Sequence, residues 1–246
     1  MYIGHDLRQC VSAMVLAVLA TAICQAGEEA KGPRTPFSAA RVISALASKN
    51  PRPTIVDGRV EFPKDFQWME QERCWKDIQE IAGNAEQALP ELISHLKDDR
   101  YCITVHHELF DVNYNWTIGD VCHQLITRTL ADSYYHELEP ETVELYRKLR
   151  RFGLDRNALV KWCDERKGMK LYELQLEACN WALERVEDKQ YLSEVTPDQR
   201  SQWLRSIKAA REKISKARKA VPMKNFGPEE LRPSSNPFES TDPFAD

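Results

Sequence analysis

Apolar residues recur at intervals of three and four along most of the chain beyond Phe66, and this spacing narrows the folds that the chain can adopt. Four apolar residues of the first such segment fall on one face of a helix: Cys74, Ile78, Ile81 and Ala85. The pair Gly83-Asn84 interrupts the pattern at a point where a helix would end. The sequence therefore predicts a mainly α-helical protein whose helices pack in a bundle.

The later helical segments also carry start signals. Thr117, Asp155 and Thr196 each precede a segment of helical periodicity, and each is a predicted N-cap because its side-chain oxygen can accept from the N–H groups of a first turn. The segment 169–187 is apolar on two sides, which favours a helix in the middle of the bundle. Trp181 lies in one of these apolar stripes and is predicted to belong to the core.

Two stretches have the alternating pattern of β-hairpins. In the first, Asp57-Gly58 stands between the runs TIV and RVEF, which is the sequence form of a tight turn. In the second, residues 101–116 read YCITVHHELFDVNYNW, with apolar residues at alternate positions on both sides of HHEL. We predict a hairpin inserted between two helices, with its aromatic face on the helices and its polar face toward solvent.

The segments on either side of this hairpin resemble the two helices of a HEAT repeat. The stretch EQALPELISHLKDDR has the proline, the Leu-x-x-Leu spacing and the Asp-rich turn of the first helix, and IGDVCHQLI is similar to the second. The resemblance covers about one repeat length, residues 85–130. The hairpin stands where a HEAT repeat has a short turn, and no second copy follows at the same period. The resemblance implies a HEAT-like packed helix pair and a protein-binding role, and it implies no catalytic residue.

Residues 11–23 form an uncharged, mostly apolar run with the length of a secretory h-region. Cys24-Gln25-Ala26 follows, with small residues at the two positions that a signal peptidase reads. The run is short for a membrane anchor, which needs about 20 apolar residues. We therefore predict a signal peptide over residues 1–26, cleaved near Ala26, and export of the mature chain to the periplasm or the extracellular space. An apolar N-terminal helix is the alternative.

Changes of composition divide the predicted mature chain into four parts: 27–65 with a helix and the first hairpin, 66–196 with the helical domain, 197–221 with a basic helix, and 222–246. The first helix is expected to begin at Pro36, because proline favours a first helical position. From Pro222 the chain is rich in proline, serine and acidic residues and lacks periodicity, which predicts a disordered tail. The NPF and DPF tripeptides of this tail resemble ligands of endocytic adaptor domains, a role that export would exclude.

Composition and charge exclude several classes of function. The net charge is −4 over 246 residues, which is too small to indicate binding of nucleic acid by the molecule as a whole. The chain has 9 glycines, few of which cluster, so no loop matches a phosphate-binding fingerprint. The sequence also lacks a nucleophile elbow and a local Cys–His signature, and no catalytic residue is predicted.

Export would permit disulfides among the cysteines that remain after cleavage. These are five in number and cannot all pair within one molecule: Cys74, Cys102, Cys122, Cys163 and Cys179. Cys102 and Cys122 flank the second hairpin and are the predicted pair. Closing that loop would stabilise the protein by about 3 kcal/mol through its effect on the unfolded chain. Buried free thiols are the alternative.

The second hairpin and its surroundings hold most of the histidines, since five of the six lie within residues 95–136. The stretch HELFD differs from the zincin motif in one residue, Asp111, which replaces the second histidine. A zinc or copper site is therefore an alternative hypothesis, with His106, His107, Asp111 and His123 as candidate ligands. The preferred interpretation places His106 and His107 on the surface at the tip of the hairpin, where neighbouring side chains diverge.

The predicted helix at 200–219 is strongly basic. Nine Lys or Arg residues and one acid, Glu212, stand between Arg200 and Lys224, and a narrow apolar seam runs along the same segment. Such a helix can contact an anionic surface, pair with a partner helix or enter a calmodulin-like groove, unless its seam docks on the protein's own bundle. The sequence as a whole predicts an exported helical protein with a structural or protein-binding role. A secreted metal-binding protein or metalloenzyme is the alternative.

Overall fold

The structure, a computed structural model, describes residues 36–107, 112–135, 154–188, 195–223 and 231–233. The chain divides into two compact units, Met1–Phe37 and Ser38–Asp246, and nearly all described residues belong to the second. The described residues form seven helices: α1 (Ala39–Ala45), α2 (Trp68–Gly83), α3 (Ala85–Ser94), α4 (Ile118–Tyr135), α5 (Arg156–Glu165), α6 (Leu171–Glu187) and α7 (Pro197–Ala217). They also form five strands: β1 (Thr54–Val56), β2 (Arg59–Glu61), β3 (Tyr101–His107), β4 (Val112–Thr117) and β5 (Leu231–Pro233).

The mainly α-helical character predicted from the periodicity is confirmed, and so are the three predicted caps. At the start of α4, the backbone N of Asp120 donates to Thr117 Oγ1 at 3.1 Å, and the backbone N of Thr117 donates to Asp120 Oδ2 at 2.9 Å. Asp155 caps α5 by accepting a backbone N–H at 2.8 Å. Thr196 begins α7 with a capping box. Each cap satisfies donors that a first turn leaves without intrahelical partners.

The start of α1 differs from expectation, and α3 contains the proline of the HEAT-like stretch. The first helical bond of α1 runs from Val42 N to the Ser38 carbonyl at 3.0 Å, so the helix begins after Ser38 and not at Pro36. Pro90 lies inside α3 without ending it; the helix continues because its buried face outweighs the loss of one backbone donor. The sequence also predicts a helix that starts at Pro140 and stops at Gly153. That segment and the predicted signal peptide lie outside the described residues.

The first predicted hairpin is confirmed. β1 and β2 pair antiparallel, and Asp57 and Gly58 make the turn with φ of 49° and 79°, as a two-residue turn of type I′ requires. The turn rests on β4, because Asn113 donates from its backbone N and from its Nδ2 to the Gly58 carbonyl, both at 3.0 Å. A Cβ at position 58 would lie 2.9 Å from the Val112 side chain, so both the backbone conformation and the close approach favour glycine.

The second predicted hairpin is also confirmed, with β3 and β4 paired antiparallel between α3 and α4. Its faces differ from expectation. Thr104, on the face expected to meet solvent, is fully buried, and Asn115 Nδ2 on the same face donates to the Pro53 carbonyl at 2.7 Å. Tyr114, on the face expected to lie on the helices, is 46% exposed. The segment around β1 and β2 packs on the polar face, so the hairpin lies within the fold.

β5 adds a third strand, in the order β4-β3-β5. It pairs antiparallel with β3, with Pro233 opposite Val105 and Leu231 opposite His107. These residues belong to the predicted disordered tail, and the prediction is wrong for them, as it is for Met223, which is buried. A strand of three residues is too short to show an alternation of apolar and polar residues. It is stabilised by pairing with β3, and no local sequence pattern predicts that pairing.

The core of the C-terminal half lies between α4, α6 and α7. The seam of α7 is buried against α6 and α4: Trp203, Ile207, Ala210 and Ile214. Trp181 of α6, predicted to belong to the core, is only partly buried, and the guanidinium of Arg185 lies 5.8 Å from the centre of its ring. None of the described helices combines the length and the apolar character that crossing a bilayer demands.

Candidate functional site

His106 and His107 do not lie at the tip of the hairpin. Both belong to β3, which is the central strand of its sheet, and both have backbone partners on β4 and on β5. The side chain of His106 is half-buried. Asp111, the residue that would complete the zincin-like stretch, lies outside the described residues. His106 therefore lies in a strand that is paired on both sides and has a half-buried side chain, which differs from the surface position at a hairpin tip that was expected for it.

His123, the other candidate ligand, lies on α4 and bonds across to the segment before α5. Its Nε2 donates to the Leu154 carbonyl at 3.0 Å, a contact that ties the two helices together. Where the structure describes the chain, no group of three or more His, Cys, Asp or Glu side chains is placed to hold a metal ion. Because Asp111 and His136 fall outside that part, the zinc or copper hypothesis stays a prediction.

Two arginines hold the acidic residues that follow α3. Arg100 donates to Asp98 from Nε at 3.0 Å and from Nη2 at 2.6 Å, and this hydrogen-bonded pair lowers the pKa of Asp98. Arg156 of α5 donates to Asp120 Oδ1 at 3.0 Å and also to Asp99. Through Arg156, these carboxylates connect the segment after α3 and the start of α4 to α5.

Three of the five cysteines come from three different elements to one buried region: Cys74 from α2, Cys102 from β3 and Cys122 from α4. All are free thiols in the structure and all are fully buried. The Cys74 thiol donates to the Leu46 carbonyl at 3.8 Å. Cys122 is near enough that a charge on it would raise the pKa of Cys102. Cys102 and Cys122 are not bonded to each other, and their pairing stays a prediction.

The thiol of Cys74 has the more polar surroundings. Arg73 Nη2 lies 3.2 Å from its sulfur, and the same guanidinium is held by Glu70 and Asp77. Interaction with the Cys102 thiol lowers the pKa of Cys74, and the same interaction, together with burial, raises the pKa of Cys102. Burial raises the pKa of Cys122 to about 12. Of these three thiols, Cys74 is therefore the one whose pKa is lowered.

The outward side of α7 forms a strongly basic surface. We name it the basic face, defined by seven exposed side chains: Arg205, Lys208, Arg211, Lys213, Lys216, Arg218 and Lys219. Glu212 is the one acid among them and pairs with Lys216 at 2.5 Å. The basic face lies opposite the seam that docks on α6 and α4, since charged and apolar residues alternate with the helical period.

Sequence patterns gave no sign of several buried amides that hold the elements together. Asn50 makes two hydrogen bonds with the backbone of Gln67 at the start of α2, at 2.9 and 2.7 Å. Gln71 Oε1 accepts from the backbone N of Thr104 at 3.1 Å. Gln175 is fully buried and bonds both to α4 and to the segment after α7. A buried glutamine has no local signature, because its partners are distant in sequence.

Within the described part of the chain, one feature remains that the fold itself does not account for: the basic face, which can bind an acidic surface. The carboxylates near α3 and the ring of His123 are occupied by contacts within the fold. Comparisons with protein-family models, with curated proteins and with solved structures found no match to this chain.

Proposed function

We propose that the chain is an exported protein that binds an acidic surface of a protein partner through the basic face of α7. The observation that carries the proposal is the charge of this face, where seven exposed cations surround one acid. Long-range attraction from such a cluster speeds the encounter with an acidic surface and orients it. Pairing of Glu212 with Lys216 leaves the sign of the face strongly positive.

The placement of the apolar seam favours a protein partner over a lipid surface. A helix that lies on a membrane, or that enters a calmodulin-like groove, presents an apolar face to its partner. Here the seam is occupied, since Trp203 and Ile214 are at most 2% exposed. Between Arg205 and Lys219 the exposed apolar residues are alanines, Ala209 and Ala217. Binding through this face would rest on charge and on hydrogen bonds.

The rest of the chain supports a binding role in two ways. α3 and α4 pack against each other, as the HEAT-like interpretation of residues 85–130 expects, and helix pairs of that kind commonly serve as binding scaffolds. The export part of the proposal rests on the apolar run at residues 11–23 and on the small residues that precede Gly27.

The proposal is tested by reversing charges on the basic face. The variant Arg205→Glu/Lys208→Glu/Lys219→Glu is compared with wild type for binding to fluorescent polyglutamate, an acidic polypeptide, by anisotropy. We expect wild type to bind at low salt with an affinity that falls as salt is added, because surface charges are screened. The variant should bind at least about tenfold more weakly, as loss and reversal of several steering charges implies.

The matched control reverses three exposed lysines elsewhere, Lys64→Glu/Lys97→Glu/Lys161→Glu, and gives the same net charge. Retention of binding by this control, with loss in the α7 variant, supports the proposal. Equal loss in both would show that net charge and not the basic face is responsible. Binding of wild type to vesicles that contain phosphatidylglycerol, without binding to polyglutamate, would overturn the choice of a protein partner in favour of lipid.

A further inference from the structure

We propose that residues 234–246 bind the basic face of α7 in the same molecule and compete there with the acidic partner. This segment lies outside the described residues. The inference rests on the proposed function, because it adds a regulator to that same surface. It would also give a role to the NPF and DPF tripeptides, which export would exclude from binding to cytosolic adaptor domains. The basic face would then be accessible in only a fraction of the molecules.

The segment carries the charge that complements the basic face. Residues 234–246 read SSNPFESTDPFAD, which contains three acids, Glu239, Asp242 and Asp246, and no Lys or Arg. The basic face has seven exposed cations and one acid, Glu212, which pairs with Lys216. Attraction between the segment and the face is therefore favourable, and it is strongest at low salt.

The spread of the acids along the segment matches the length of the basic face. The face extends from Arg205 to Lys219, about 20 Å along α7 and the turn after it. Glu239 and Asp246 are seven residues apart in sequence, which is about 22 Å in an extended chain. The two prolines of the segment favour an extended backbone over a helix. One segment can therefore bring its acids to cations along the whole face.

The connection through β5 leaves the segment long enough to return to α7. Met223, four residues beyond Lys219, is buried, and the backbone N of Val221 donates to Gln175 Oε1 of α6 at 2.8 Å. The connection therefore starts from a fixed point close to the end of the basic face. Pro233 follows Met223 by ten residues, so the two lie at most about 34 Å apart. The 13 residues beyond Pro233 span up to about 43 Å, which is enough to reach the Lys219 end of the face.

The two phenylalanines of the segment add a contact that charge alone does not supply. Phe238 and Phe244 each stand within two residues of an acid, so pairing of the acids brings an aromatic ring close to the cations of the face. A guanidinium such as that of Arg211 can stack on such a ring. The same kind of contact occurs elsewhere in the fold, where the Arg166 guanidinium lies 4.4 Å from the centre of the Trp162 ring.

Attachment to the same chain makes a weak contact effective. A ligand that is tethered by a short connection acts at an effective concentration of about 1 mM, so a contact with a dissociation constant of about 0.25 mM would form in about 80% of the molecules. The apparent affinity for a partner falls with the accessible fraction of the face, which here means about fivefold. Removal of the acids of the segment should therefore strengthen binding of an acidic partner by about that factor.

The first test neutralises these acids in the full chain and measures binding of fluorescent polyglutamate by anisotropy at low salt. The segment variant is Glu239→Gln/Asp242→Asn/Asp246→Asn. Its matched control removes three acids that are exposed elsewhere in the fold and gives the same net charge: Asp65→Asn/Glu80→Gln/Glu86→Gln. We expect the segment variant to bind about fivefold more tightly than the control, because it alone makes the basic face accessible.

The second test adds a fluorescein-labelled peptide of residues 234–246 to the segment variant. The peptide should bind with an affinity that falls as salt is added. Reversal of the α7 charges in the same protein, by Arg205→Glu/Lys208→Glu/Lys219→Glu, should abolish this binding. Reversal of the three lysines elsewhere, Lys64→Glu/Lys97→Glu/Lys161→Glu, should preserve it.

The outcomes separate this inference from the proposed function. If wild type binds polyglutamate and the segment variant binds it no more tightly than the control does, the inference is overturned and the proposed function stands. If no form of the protein binds polyglutamate, the proposed function fails and the peptide decides the inference. Peptide binding that is lost on reversal of the α7 charges supports contact between the segment and the basic face. No binding, or binding that survives that reversal, overturns it.

Discussion

The α6–α7 helix pair and the β3–β4 hairpin are held by different kinds of contact. The helix pair has a continuous apolar seam, in which Trp203 and Ile207 of α7 are buried against α6. The hairpin is fastened by individual hydrogen bonds from residues far away in sequence. Thr104 bonds to Gln71, 33 positions away, and Asn115 bonds to Pro53, 62 positions away. Neighbouring residues therefore specify the helix pair, and distant partners specify the surroundings of the hairpin.

The largest expected effect tests the apolar side of this comparison. Trp203 is 2% exposed, so Trp203→Ala should lower the free energy of unfolding by about 3–5 kcal/mol, as truncation of a large core side chain does. Urea denaturation followed by circular dichroism would measure the change.

Trp181→Ala is the matched control on the neighbouring helix. Because Trp181 is only partly buried, its truncation should cost less than about 2 kcal/mol. Equal losses of unfolding free energy in the two variants would mean that α6 is buried on both sides, as its sequence pattern predicts. The seam of α7 would then contribute no more to stability than the exposed side of α6.

The same difference explains how much of the fold was predictable. The apolar residues of the α7 seam recur every three or four positions, and Thr196 marks the start of the helix. The sequence therefore predicted both the seam and the helix start. The turn at Asp57-Gly58 was equally legible, because left-handed φ values restrict the residue types. Neither the packing of the segment around β1 and β2 over Thr104 nor the strand β5 has a local sequence pattern that would predict it. Both depend on which distant segment reaches the hairpin, a property of the whole fold.

The candidate site was predictable in the same uneven way. The basic face follows from composition and period alone, and the docking of its seam on the protein's own helices was one of the alternatives that the sequence left open. Proximity along the chain favoured Cys122 as the partner of Cys102, whereas the structure also brings Cys74 of α2 into the same buried region. This happens because α2 packs on β3, and no spacing in the sequence predicts that contact.

A moderate effect tests the polar side of the comparison. Gln71→Ala removes the acceptor of the Thr104 backbone N–H, which is buried in the α2–β3 contact. An unsatisfied buried donor costs about 1–3 kcal/mol, and urea denaturation should show a loss of that size.

Gln79→Ala, at an exposed position of the same helix, is the control and should change stability by less than about 0.5 kcal/mol. If the two glutamine variants behaved alike, the hairpin would be held by apolar packing, as the helix pair is, and the contrast between the two regions would disappear.

The smallest effect concerns acid, and it compares a carboxylate at the base of the hairpin with one on α7. The Arg100 side chain lowers the pKa of Asp98, and the Lys216 side chain lowers that of the fully exposed Glu212. A carboxyl group whose folded pKa is lowered stabilises the protein above its unfolded pKa, and this contribution is lost as pH falls through the folded value. Asp98 also accepts a hydrogen bond from the backbone N of Arg100 at 3.1 Å, so protonation of Asp98 loosens the start of β3.

We therefore expect the melting temperature of wild type to fall below about pH 4. Asp98→Asn should be less stable at neutral pH, and its melting temperature should depend less on pH in the acid range. Glu212→Gln should follow the wild-type curve, because solvent and salt screen an exposed pair. If the melting temperature became less dependent on acid pH in Glu212→Gln and not in Asp98→Asn, the acid-sensitive contact would lie on the helix pair and the comparison would be reversed.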